Sequence, residues 1–62
     1  MYSIVFAEDE KTTRENICRV IDWERYGFVI CATASDGEEA LQAVQRYRPE
    51  VLITDIRMPF MD

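Results

Sequence analysis

Histidine is absent from this chain, and glycine, proline and cysteine each occur only twice in 62 residues. Without histidine, imidazole-based acid–base or nucleophilic catalysis is excluded. No G-x-x-x-x-G-K-[ST] string is present, which removes the phosphate cradle of that loop type. The segment Glu8-Asp9-Glu10-Lys11-Thr12-Thr13 holds three acids and no glycine, so its backbone cannot approach a pyrophosphate as a dinucleotide loop does. Long apolar runs are missing too. The longest, Ile4 to Ala7 and Phe28 to Ala32, are far too short to cross a bilayer. No basic segment precedes an apolar stretch, so no secretory signal is read and the cytoplasm is the expected compartment. Seven Lys and Arg stand against twelve Asp and Glu, a net charge of −5. That balance does not draw nucleic acid through the overall field, but it favours cations. Cys18 and Cys31 lie in apolar surroundings and are expected as reduced core thiols rather than a disulfide.

The composition, 48% hydrophobic and 31% charged, is that of a folded globular chain. Its size leaves little margin. Burial of ~6,400 Å² on folding, about 60% of it apolar, contributes on the order of 95 kcal/mol, against roughly 93 kcal/mol of ordering entropy. A partner subunit, a bound ion or further sequence is therefore expected.

Hydrophobic spacing divides the chain. Tyr2 to Ala7 is nearly continuous apolar sequence, as in a strand buried on both faces of a parallel sheet. From about Lys11 to Asp22, Ile17, Val20 and Ile21 make one stripe of a helix. Trp23 to Gly27 interrupts the pattern, with Gly27 free to take positive φ, and Trp23 is expected over the helix–strand junction. Phe28 to Ala32 is a second strand. Asp36 and Glu39 form a capping pair for a second helix, whose core face is Ala40, Leu41, Val44 and Tyr47. Pro49 ends that helix through Arg48, and Val51 to Thr54 is a third strand. The order β-α-β-α-β predicts an α/β fold with a parallel sheet and right-handed crossovers.

Ligands of such sheets bind beyond the carboxyl ends of the strands. There the first strand delivers Glu8, Asp9 and Glu10, and the third delivers Asp55. Carboxylates gathered in one place repel one another unless protonated or neutralised. A hard divalent cation answers this, and Mg²⁺ suits a site of few carboxylates plus water and phosphate oxygens. Acids also favour a helix N-terminus, which accounts for Glu10 alone, while Asp9 is read as a ligand.

Three strings, Phe6-Ala-Glu-Asp-Glu10, Ala34-Ser-Asp-Gly-Glu-Glu-Ala-Leu41 and Pro49-Glu-Val-Leu-Ile-Thr-Asp-Ile-Arg-Met-Pro59, resemble the receiver domain of two-component response regulators. The stretch from Ile21-Asp-Trp-Glu24 to Tyr26-Gly-Phe28 is similar to the subgroup whose receiver precedes an AraC-type DNA-binding domain. The resemblance implies a truncated flavodoxin-like (βα)5 fold, a three-stranded parallel sheet of order 2-1-3 with two helices, over residues 1–62. It implies a signalling module that is not an enzyme. Asp55 would be the phosphoacceptor, taking its phosphoryl group from a sensor histidine kinase. Mg²⁺ would be held by Glu8, Asp9, Asp55 and the backbone carbonyl of Arg57. Glu8 departs from the Asp usual in the family. The family's Ser or Thr, Lys and switch aromatic are expected in sequence beyond Asp62, as is any DNA-binding domain, so the isolated piece is expected to be inactive.

Two other readings stand beside this one. An interaction fragment would use its open strand edge to pair with a second copy, giving a homodimer or higher oligomer. There the apolar Met58, Phe60 and Met61, loop packing in a whole domain, would form an exposed patch. A Mg²⁺-dependent phosphohydrolase also uses acids at strand ends, but commonly needs a further acid such as Asp-x-Asp, whereas Asp55 is followed by Ile56 and Arg57.

Overall fold

A computed structural model describes residues 1–55 of the chain. Strand β1 (Tyr2–Ala7) leads into helix α1 (Lys11–Val20), then a 3₁₀ turn (Trp23–Tyr26), strand β2 (Phe28–Ala34), helix α2 (Gly37–Tyr47) and strand β3 (Val51–Thr54). The three strands form one parallel sheet of order β2-β1-β3, the order that the sequence implied. Arg57, Met58, Phe60 and Met61, which carry a predicted ligand and a predicted patch, lie outside the described residues.

β1 is central, and its sequence explains why. Ile4, Val5, Phe6 and Ala7 are all buried, because a strand covered on both faces has no polar side to present. Ala7, Ala34 and Ala40 form one cluster, so the small residues bring α2 close over the strand ends. Successive side chains alternate between faces. Val5 therefore shares the α2 face with Ala7, while Ile4 and Phe6 point to the other.

The rest of the expected core is looser. The α1 stripe does not reach the interior: no residue of α1 is buried, and Val20 is 73% exposed. Ile21 is exposed as well. The last turn of α1 instead borders an open groove of about 590 Å³, lined by Cys18, Val20, Trp23, Phe28 and Ile30 among others. Trp23 lies at the junction expected of it, half-buried, with its indole N–H buried and unpartnered. On α2, Leu41 is 37% and Tyr47 48% exposed. Leu41 lines an apolar hollow of about 60 Å³ with Ala40, Val44 and Leu52 of β3. Helical spacing identifies the apolar face, but burial requires a surface opposite it.

Local chemistry sets the junctions. Gly27 adopts φ 85° and donates its amide to Glu24, a left-handed stop that glycine adopts without Cβ strain. Arg48 ends α2 with φ 46° and ψ 58°. This departs from the extended backbone usual before proline, and the Arg48 amide makes the last helical bond, to the Val44 carbonyl at 2.9 Å. The β1–β2 register slips once between Ile4 and Val5, leaving Cys31 as the extra residue. Its thiol donates to the Ile4 carbonyl at 3.3 Å. Both cysteines are free, as expected, but only half-buried. The bulge and the loose α1 place them at the border of the core.

Candidate functional site at the carboxyl edge of the sheet

The ladder continues one residue past both strands. The Glu8 amide donates to the Ala34 carbonyl at 2.9 Å, and the Asp55 amide donates to the Ala7 carbonyl at 3.1 Å. Register alone therefore sets Asp55 beside the point where β1 becomes the Glu8–Glu10 loop, because Thr54 pairs with Ala7. Glu8 is 4% exposed, whereas Asp9 and Asp55 are open to solvent.

Each acid of the loop does something different. The Glu8 carboxylate accepts the Glu10 amide at 3.0 Å. Glu10 caps α1, accepting the Thr13 amide at 2.9 Å, the Thr12 amide at 3.4 Å and the Thr13 hydroxyl at 3.3 Å. It thereby satisfies amides that the helix leaves free. Asp9, between them, stays exposed. At the neighbouring helix start, Asp36 accepts the Glu39 amide at 2.8 Å. Glu39 reaches back not to Asp36 but to Ser35, accepting its amide and its hydroxyl at 2.9 Å each. Those two bonds hold the Glu39 carboxyl below its usual range, against a small opposing effect of burial.

The electrostatics of Glu8 record the crowding. The Glu10 amide favours its ionised form, yet the pKa is raised. A hydrogen bond with Asp9, removal from water, and the charges of Asp55 and Asp9 together outweigh that amide. Among the described residues no three Asp, Glu, Cys or His side chains are gathered tightly enough to make a ready metal cage. The edge is an open acidic rim in which one carboxyl feels the other two. Oxygen donors of this kind suit a hard cation that keeps part of its water shell, and a doubly charged ion would reverse the repulsion that raises Glu8. The donor set therefore fits Mg²⁺.

Arg14 belongs to none of the sequence strings that mark the site. Its guanidinium donates to the Glu8 carbonyl at 2.8 Å. The available signal was its position one turn past the cap residue, on the side of α1 that faces back along the loop.

A family model, the response regulator receiver domain, matches residues 4–62. The chain belongs to the response regulator receiver family. This receiver sequence is 46% identical over 59 residues to the transcriptional regulatory protein HptR of Staphylococcus aureus, covering 95% of this chain and 23% of that protein. It is 42% identical over 59 residues to an uncharacterized response regulatory protein of Staphylococcus epidermidis, covering 95% of this chain and 24% of the relative. The solved REC domain of AraT, a response regulator from Geobacillus stearothermophilus, is 43% identical with a TM-score of 0.84, over 98% of this chain and 47% of that one. The receiver segment thus spans about a quarter of the length of these curated relatives. No helix among the described residues is long and apolar enough to cross a membrane.

Proposed function

We propose that this segment is the first half of a receiver, and that Asp55 accepts a phosphoryl group from a phosphohistidine on a sensor histidine kinase. The observation that carries the reading is the Asp55 amide bonded to Ala7, beside the buried Glu8. In the transfer, an Asp55 carboxylate oxygen forms the new P–O bond while the P–N bond to the kinase histidine breaks and its electron pair returns to the ring. Both reactants are anionic, so the carboxylate needs charge around it offset before it attacks. Glu8, Asp9, Asp55 and the Arg57 carbonyl would hold Mg²⁺. When bound, that ion supplies the positive charge that screens the two anions and gathers the phosphoryl oxygens. The chain's own part is to fix Asp55 at the end of a hydrogen-bonded strand, so that its carboxylate meets the donor without first being ordered. Regulation of transcription would pass to DNA through a further domain, of AraC type by the Trp23 region, in the cytoplasm. The role is signalling and not turnover.

Incubating the full-length protein with a small-molecule phosphodonor and Mg²⁺ is expected to give acid-stable, base-labile label, lost in Asp55→Ala. Undiminished label in that variant rules the role out.

A second reading concerns assembly. β2 and β3 are the edges of the described sheet, and unpaired edges add strands from other chains. The 62-residue chain is expected to sediment as a dimer or larger at on the order of tens of micromolar. A folded monomer in that run would defeat the expectation.

A further inference from the structure

The Glu8 carbonyl sits where the backbone leaves the sheet, and a carbonyl at such a point needs a partner other than a neighbouring strand. Arg14 supplies it through a charge-assisted bond of 2.8 Å. The backbone amide of Arg14 also donates to the Glu10 carbonyl at 2.9 Å. One residue therefore grips the loop at both ends of the acidic triplet, with Asp9 between. We propose that Arg14 is a positioning residue, a clamp on the Glu8 carbonyl that presets the Glu8 and Asp9 carboxylates for the cation. The inference rests on the Mg²⁺ reading above and adds a residue to it. Arg14 is half-buried, and its charge is felt at Cys18 on α1 and at Glu39 on α2. The side chain thus spans the junction between the end of β1 and the start of α1.

Two effects of Arg14 on a bound cation oppose each other, because its positive charge repels the ion while its clamp organises the ligands. Salt separates them. At 1 M KCl the Debye length is about 3 Å, so the charge effect is suppressed and the positioning effect remains.

The experiment measures Mg²⁺ affinity of the full chain by calorimetry at 1 M KCl, together with amide exchange by NMR. Arg14→Met is expected to weaken Mg²⁺ about tenfold, the lower end for residues that orient metal ligands. Exchange of the Glu10 amide should accelerate, while Val5 and Phe6 in the central ladder keep wild-type rates. Arg14→Lys, which retains charge and a donor, should recover part of the affinity. Unchanged affinity and unchanged Glu10 exchange in Arg14→Met, with the wild type binding Mg²⁺ and Asp9→Asn losing it, would overturn the clamp and leave the metal reading intact. A wild-type chain that does not bind Mg²⁺ would overturn that reading and the clamp's role with it.

Discussion

Phe6→Ala is expected to remove a large share of the chain's folding stability at 25 °C. Phe6 is 3% exposed on the central strand, and truncating a buried Phe to Ala typically costs about 3–5 kcal/mol in lost transfer energy plus the cavity left behind. A chain of this length has on the order of 3–9 kcal/mol in total, at roughly 0.05–0.15 per residue. The loss is large against that total because the described core is narrow: Ile4, Val5, Phe6, Ala7, Ala34 and Ala40. Val20→Ala is the contrast. It removes a β-branched side chain from the exposed end of α1 and should stay within about 0.5 kcal/mol of wild type. Urea unfolding followed by circular dichroism separates the two. A Phe6→Ala midpoint as close to wild type as that of Val20→Ala would show that the core lies elsewhere.

The second large effect expected, on the proposed Mg²⁺ reading, is a stabilisation by the ion that depends on pH. The fold raises the Glu8 pKa above its ordinary value, against the Glu10 amide and through Asp9, burial and Asp55. A group raised in this way supports the folded state while protonated. Its contribution is fully present below the unfolded pKa and is lost as pH rises through the folded value. Deprotonation leaves Glu8 crowded by Asp9 and Asp55, and on the proposed reading a cation held there would offset that repulsion. At 100 times its dissociation constant, Mg²⁺ should add about 2.7 kcal/mol at pH 7.5. For a domain of this size that is a rise of roughly 10–20 °C in melting temperature. At pH 4, where a proton on Glu8 competes with the cation, the rise should largely vanish. Glu8→Gln should stabilise the metal-free chain at pH 7.5 and shrink the Mg²⁺ effect. Thermal melts at the two pH values decide it: equal Mg²⁺ shifts at both, or none at either, would contradict the placement of the ion.

Much of the fold was legible because it rests on local rules. The unbroken run at Ile4 to Ala7 marks a strand buried on both faces, and burial of all four follows. Gly27 announced its left-handed turn, and the β-α-β-α-β order announced a parallel sheet. The strand order came through family resemblance rather than spacing, since three parallel strands satisfy the same pattern in other orders. The core face of the helices was overstated. Periodicity says which side of α1 and α2 is apolar but not what stands opposite, so Val20, Leu41 and Tyr47 are exposed. Arg48 and Cys31 escaped for a related reason. The left-handed backbone at Arg48 runs against its local pre-proline preference, and the bulge at Cys31 exists only in relation to its partner strand.

For the acidic edge the division is sharper. Residue types and spacing by themselves determined that carboxylates would end β1 and β3, and that the loop between β1 and α1 could not receive a bare phosphate. Glu10 caps α1 as its place at the helix start predicts, but only the tertiary structure decided that Glu8 is buried while Asp9 and Asp55 stay open, and that Arg14 returns to hold the Glu8 carbonyl. The reason is physical: composition sets how much charge arrives at an edge, but desolvation and hydrogen-bond direction depend on distances of a few ångströms between segments far apart in the chain.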